Sequence, residues 1–136
     1  GTGIRHLGPE LVSLLSHYPN VVAWVNGHVH ANNITAHRHA LDARRSWWEI
    51  NTASHVDFPQ MARVIELADN HDGTVSIFTT LIESNAPYQA DYDTTDPDGL
   101  ASLYREFGAN DIHTMARRLG TSVDHNTELL LAHPWA

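Results

Sequence analysis

The chain contains no cysteine and no lysine. Without thiols there is no disulfide, no zinc ribbon and no cysteine nucleophile, so any metal must be held by histidine, aspartate, glutamate or asparagine. All basic residues are arginine, eight against sixteen acidic residues, and the net charge is −8. A broad surface for a phosphate backbone is therefore not expected, and nucleic acid is not the expected partner. No apolar run approaches bilayer length, so no membrane span is expected. Residues Gly1 to His6 lack the charged start and apolar stretch of a secretory signal, and localisation stays open. There is no internal repeat and no low-complexity tract. What is present is 136 residues with 42% hydrophobic content and eleven histidines, the size of one domain with a tail.

Along the chain, Pro9, Leu11, Val12, Leu14 and Leu15 recur at helical spacing, which predicts a short amphipathic helix from Gly8 to His17. Tyr18-Pro19-Asn20 breaks it and leads into Val21 to Val25, an uncharged stretch that reads as a buried strand. Further strands are expected at Ile34 to His39 and Trp47 to Asn51, and a hairpin at Ala62–Leu67 and Thr74–Ile82 around Asp72-Gly73. His71 falls at its tip as a solvated residue. If Trp47 and Trp48 are extended, one faces the core and the other an interface. Residues 87–99, rich in Asp, Pro and Thr, read as an acidic surface linker; a helix-loop-helix calcium site is disfavoured because the glycine at its sixth position and the glutamate at its twelfth are absent. Helical segments are expected at Leu100–Phe107 and Asp111–Leu119, with Gly120 as a stop and an apolar end that packs back. The expected organisation is residues 1–86 as an α/β unit, 87–99 as linker and 100–136 as a helical tail.

The stretch Val21 to His30 carries the chemistry. Asn26 and Gly27 end the strand just before His28 and His30. In extended backbone these two imidazoles share a side and face one metal site, and Gly27 lets the backbone bend there. Three families with a His-x-His element do not fit. A metallo-β-lactamase needs Asp-His soon after, a cupin needs a Glu a few residues on, and an amidohydrolase barrel needs roughly 250 residues.

Gly27-His28-Val29-His30, preceded by a helix, Tyr18-Pro19-Asn20 and a strand, resembles the last metal-binding motif of the calcineurin-like metallophosphoesterases. The run Asn51-Thr52-Ala53-Ser54-His55-Val56-Asp57-Phe58-Pro59-Gln60, followed by the hairpin, is similar to the C-terminal part of that fold, in particular to a bacterial branch with a long C-terminal tail. The likeness covers about residues 8 to 84. It implies the C-terminal half of an αββα sandwich, with a mixed or antiparallel sheet and flanking helices. It further implies a phosphoester substrate and two divalent ions (Mn, Fe or Zn), with His28 binding one and His30 the other. In such sites the ions sit roughly 3.5 to 4 Å apart and activate a bridging water.

The family's Asp-x-His, Gly-Asp-x-x-Asp and Gly-Asn-His motifs are absent from this sequence. No catalytic residue is therefore assigned in it; the catalytic histidine is expected upstream, and the 136 residues alone are expected to be inactive. His55, Asp57, Asn26 and His6 are candidates for substrate contact or for supporting the ligands. Arg38, Arg44 and Arg45 are candidates to reach an anionic substrate. Half of such a fold would leave apolar surface and strand edges bare, so a homodimer or swapped assembly is expected. The alternative is a non-catalytic α/β interaction module.

Overall fold

The computed structural model describes Gly3, residues 5–111 and residues 116–135. Helix α1 covers Gly8–Leu15, with Pro9 in the first turn and the Glu10 carboxylate accepting the Leu7 N–H at 3.2 Å. Just past its end, the Ser16 carbonyl accepts Arg45 Nε at 2.7 Å and the Ser16 hydroxyl accepts Trp47 Nε1 at 3.0 Å. These bonds satisfy groups a helix terminus would otherwise leave open, and they seat α1 on the first sheet.

That sheet has the order β1-β3-β2, from β1 (Ala23–Asn26), β2 (Asn33–His37) and β3 (Trp47–Asn51). The pair β1–β3 is parallel, with Val25 opposite Ile50 and Asn26 opposite Asn51, while β2 runs antiparallel to β3 with Ile34 opposite Ile50. The second sheet, order β4-β5-β6, is antiparallel throughout: β4 (Met61–Asp69) and β5 (Thr74–Glu83) form the hairpin, and β6 (Thr127–Ala132) lies on the other edge of β5. The turn takes its positive φ at His71 and Gly73, 57° and 88°.

Side chains alternate along each strand, so each sheet turns one apolar row toward the other. Ile50 of the first sheet meets Ile77, Leu129 and Leu131 of the second, flanked by Val22, Ala23, Ile34, Trp48 and Ile65. Each large aliphatic side chain so buried stabilises by about 1.5–3 kcal/mol. Trp48 joins this core and donates Nε1 to the Leu130 carbonyl at 3.3 Å. Trp47, one residue earlier and nearly fully buried, lies on the opposite face, stacked on His37 at 4.0 Å between ring centres. Among the described residues the architecture is mixed α/β, with two α-helices and two small, mostly antiparallel sheets.

The C-terminal segment departs from a helical tail. Helix α2 spans Pro97–Asn110, starting three residues earlier than expected because Asp96 caps it by accepting the Gly99 N–H at 2.8 Å, with Pro97 in the first turn. Of the segment expected as a second helix, residues 112–115 lie outside the described residues and Ala116–Leu119 is a 3-10 turn. Beyond it the chain becomes β6, because buried Leu129 and Leu131 alternate with exposed Glu128 and Leu130 at the period of a strand. The stretch read as a linker is fastened to α2, where Glu106 accepts the Ala90 N–H at 2.7 Å and the Tyr92 hydroxyl at 2.6 Å.

Candidate functional site

The parallel pair β1–β3 delivers Asn26 and Asn51 side by side at its C-terminal end, the end at which α/β sheets gather ligand-binding loops. Asn26 Nδ2 donates to Glu49 at 3.0 Å, whereas the side-chain oxygens of Asn26 and Asn51 are buried without a hydrogen-bond partner among the described residues.

Past Asn26 the chain does not stay extended. The Val29 N–H returns to the Gly27 carbonyl at 3.0 Å, closing a three-residue turn around His28 at φ +74°, and His30 follows at φ +53°. A γ-turn with positive φ at its centre is a rare, strained conformation for a residue with a side chain. The bend therefore sits on the histidines and not on Gly27, whose φ is not positive. Consequently the extended geometry expected to put the two imidazoles on one side does not hold here. His28 is exposed and lines an open cleft of about 630 Å³, while half-buried His30 turns its Nδ1 to the Asp57 carboxylate at 2.8 Å.

Asp57 is held in the loop between β3 and β4, where the Gln60 N–H bonds the Asp57 carbonyl at 2.8 Å. Arg118 reaches its carboxylate from the C-terminal segment, with Nη1 at 2.9 Å. Burial pushes the Asp57 carboxyl up, but the His30 hydrogen bond and charge, the Ser54 hydroxyl and the Arg118 guanidinium together hold it below the ordinary carboxylate range. An ionised carboxylate only accepts, so His30 Nδ1 carries the hydrogen of this bond. In the neutral ring Nε2 then bears the lone pair, the arrangement in which a histidine is presented to a metal or a proton.

Asn32, only 1% exposed, connects the site to the C-terminal segment. Its backbone N–H bonds the Arg118 carbonyl at 2.9 Å, and its side-chain oxygen accepts Ala53 N–H at 3.2 Å and Arg63 Nη2 at 3.1 Å. Arg63 also donates to the His125 and Asp124 carbonyls at 3.0 and 2.7 Å, and burial lowers its pKa. Gly120, at φ +76°, crosses so close to Asn32 that an added Cβ would stand 2.5 Å from the Asn32 carbonyl oxygen.

The remaining candidates lie elsewhere. His6 pairs with Glu10 at 3.1 Å and lines a separate hollow beside α1. His55 lines a third cleft against α2, its carbonyl accepting the Tyr104 hydroxyl at 3.3 Å. Arg44 is paired with Asp42 at 3.1 Å and Arg45 is spent on Ser16, while Arg38 lines a hollow with Trp47 and Trp48.

Among the described residues, no three His, Asp or Glu side chains come together to hold a metal ion. The Asp57 carboxylate beside His30 is shared with Arg118, and a two-metal centre needs bridging carboxylates in addition to the two imidazoles. Asn32, Arg63, Arg118 and Asp124 had no marker in the sequence, because these partners stand some thirty to ninety positions away. No family model, curated protein or solved structure matches this chain.

Proposed function

We propose that this chain is the C-terminal portion of a metal-dependent phosphoesterase of the calcineurin-like kind. It contributes His28 and His30 as two ligands of a metal pair whose other ligands lie outside these residues. The observation that carries this reading is the His30–Asp57–Arg118 chain, in which a salt-bridged carboxylate fixes the tautomer of an imidazole directly behind a parallel strand end. Such a support is what a ligating histidine needs and what a surface histidine does without. The strain at His28 supports the same reading, since a positive-φ turn on a non-glycine residue persists where position matters more than local stability. The ions, when bound, supply Lewis acidity and an activated water. The residues of this chain orient His30, keep Asp57 ionised and offer an open cleft beside His28. The same proposal includes self-association, supported by the outer edge of β1 and by Val25 on that strand, 50% exposed.

The test uses the polypeptide as its gene encodes it, assayed with Mn²⁺ and p-nitrophenyl phosphate. Hydrolysis is expected, with His28→Asn and His30→Asn each lowering kcat/KM by about 100-fold or more. Absence of metal-dependent hydrolysis, or rates untouched by both substitutions, would overturn the proposal in favour of a binding module.

A further inference from the structure

The cleft beside His28 has a second wall, built by the C-terminal segment. Arg117 and Arg118 line it together with Asn33, Thr121 and Asp124. Its hydrogen-bonding groups are unevenly used. Both oxygens of Asp124 are engaged, one by the Ile34 N–H at 2.8 Å and the other by the Thr121 N–H and hydroxyl at 2.8 and 2.7 Å. Arg118 spends Nη1 on Asp57 and the Phe58 carbonyl. The Arg117 guanidinium, by contrast, is exposed and forms no hydrogen bond or ion pair among the described residues, in a chain of net charge −8. Arg105, Arg63, Arg44 and Arg45 all have partners, while Arg5 and Arg38, also without one among the described residues, do not line this cleft. The cleft thus presents donors whose acceptors are missing and acceptors whose donors are filled, the complement of an anion.

We infer that this cleft is a phosphate-binding site in which Arg117 makes the principal contact, with His28 on the opposite wall and Arg118 held in place by Asp57. The inference rests on the phosphoesterase reading for its choice of phosphate, and it assigns substrate recognition to the C-terminal segment. A planar guanidinium with two parallel N–H groups matches two phosphate oxygens, which neither His28 nor an asparagine can do alone. The segment is fixed to the strand-end loop through the Arg118 carbonyl and Gly120, so Arg117 is carried on an anchored stretch of backbone.

The experiment is titration of the metal-free protein with inorganic phosphate, followed by amide and arginine side-chain NMR. Shifts at Gly120, Thr121 and His28 are expected, with Arg117→Gln weakening the apparent affinity about tenfold and Arg44→Gln leaving it unchanged. Sulfate as a second titrant separates recognition of phosphate from a general anion effect. Phosphate shifts that avoid these residues, equal affinity in Arg117→Gln, or equal response to sulfate would overturn the inference. Because the readout needs neither metal nor turnover, phosphate binding without hydrolysis by the encoded polypeptide would remove the phosphoesterase reading alone. In a hydrolysing polypeptide, Arg117→Gln raises KM for p-nitrophenyl phosphate about tenfold with kcat nearly preserved.

Discussion

His28 and Asp57 show how much a single residue decides here. A non-glycine residue in a positive-φ turn costs of order 1–3 kcal/mol, and glycine removes most of that cost. His28→Gly is therefore expected to stabilise the fold by about 1 kcal/mol in urea unfolding while losing the imidazole; a destabilised variant would show that the turn is not strained. Asp57 works in the opposite sense. Its carboxyl is depressed in the folded chain, so its contribution is complete above the unfolded value of about 4 and is lost as pH falls through the lower folded value. Asp57→Asn should cost about 2 kcal/mol and flatten that acid limb of stability, read by urea unfolding from neutral to acid pH. Asp124 adds to the same limb. Burial raises its pKa, but the Thr121 and Ile34 donors pull it below the ordinary range.

At the scale of elements, the decisive event is the return of the C-terminal segment to the site. Gly120 permits it, since φ +76° and the 2.5 Å at which an added Cβ would stand from the Asn32 carbonyl oxygen both disfavour a side chain. Gly120→Ala is expected to cost about 3 kcal/mol and to perturb the Asn32 and His30 amide resonances by NMR. Gly73→Ala, in the hairpin turn with open space around it, carries the backbone cost alone and should leave those resonances in place. A helix is the natural expectation for residues 111–119. Of these, Ala116–Leu119 forms a 3-10 turn, held by the Asn32 side chain on the Leu119 carbonyl and by Asp57 on Arg118, so this turn follows its partners more than its propensity.

For the whole molecule, stability rests on the join between the sheets. Ile50 is completely buried and Ile77 is 1% exposed, one in each sheet. Ile50→Ala or Ile77→Ala should cost about 2–5 kcal/mol, measured by urea unfolding. The sheet edges point outward as well as inward. Under the proposed self-association, multi-angle light scattering should find a dimer, and Val25→Lys on the edge strand should return it to a monomer; a wild-type monomer across micromolar concentrations would remove that part of the proposal. Among the described residues no helix is long and apolar enough to cross a membrane.

The sequence alone determined the local elements whose signal is periodic or punctuated: α1 after Gly8-Pro9, the strands around Trp24, Ile34 and Trp48, and the hairpin turning at Gly73. It also singled out His28 and His30 as a pair of metal ligands, and Asp57 separately as a candidate for substrate contact or for supporting them. Only the tertiary structure decided that His30 pairs with Asp57 while His28 turns to a cleft, since that depends on φ at two residues where the sequence offered a glycine one position too early. It likewise decided that Leu129 and Leu131 close a sheet and that Arg117 and Arg118 wall the cleft. Pairings between residues some thirty to ninety positions apart leave no trace in local periodicity, because they are fixed by which surfaces must be buried together.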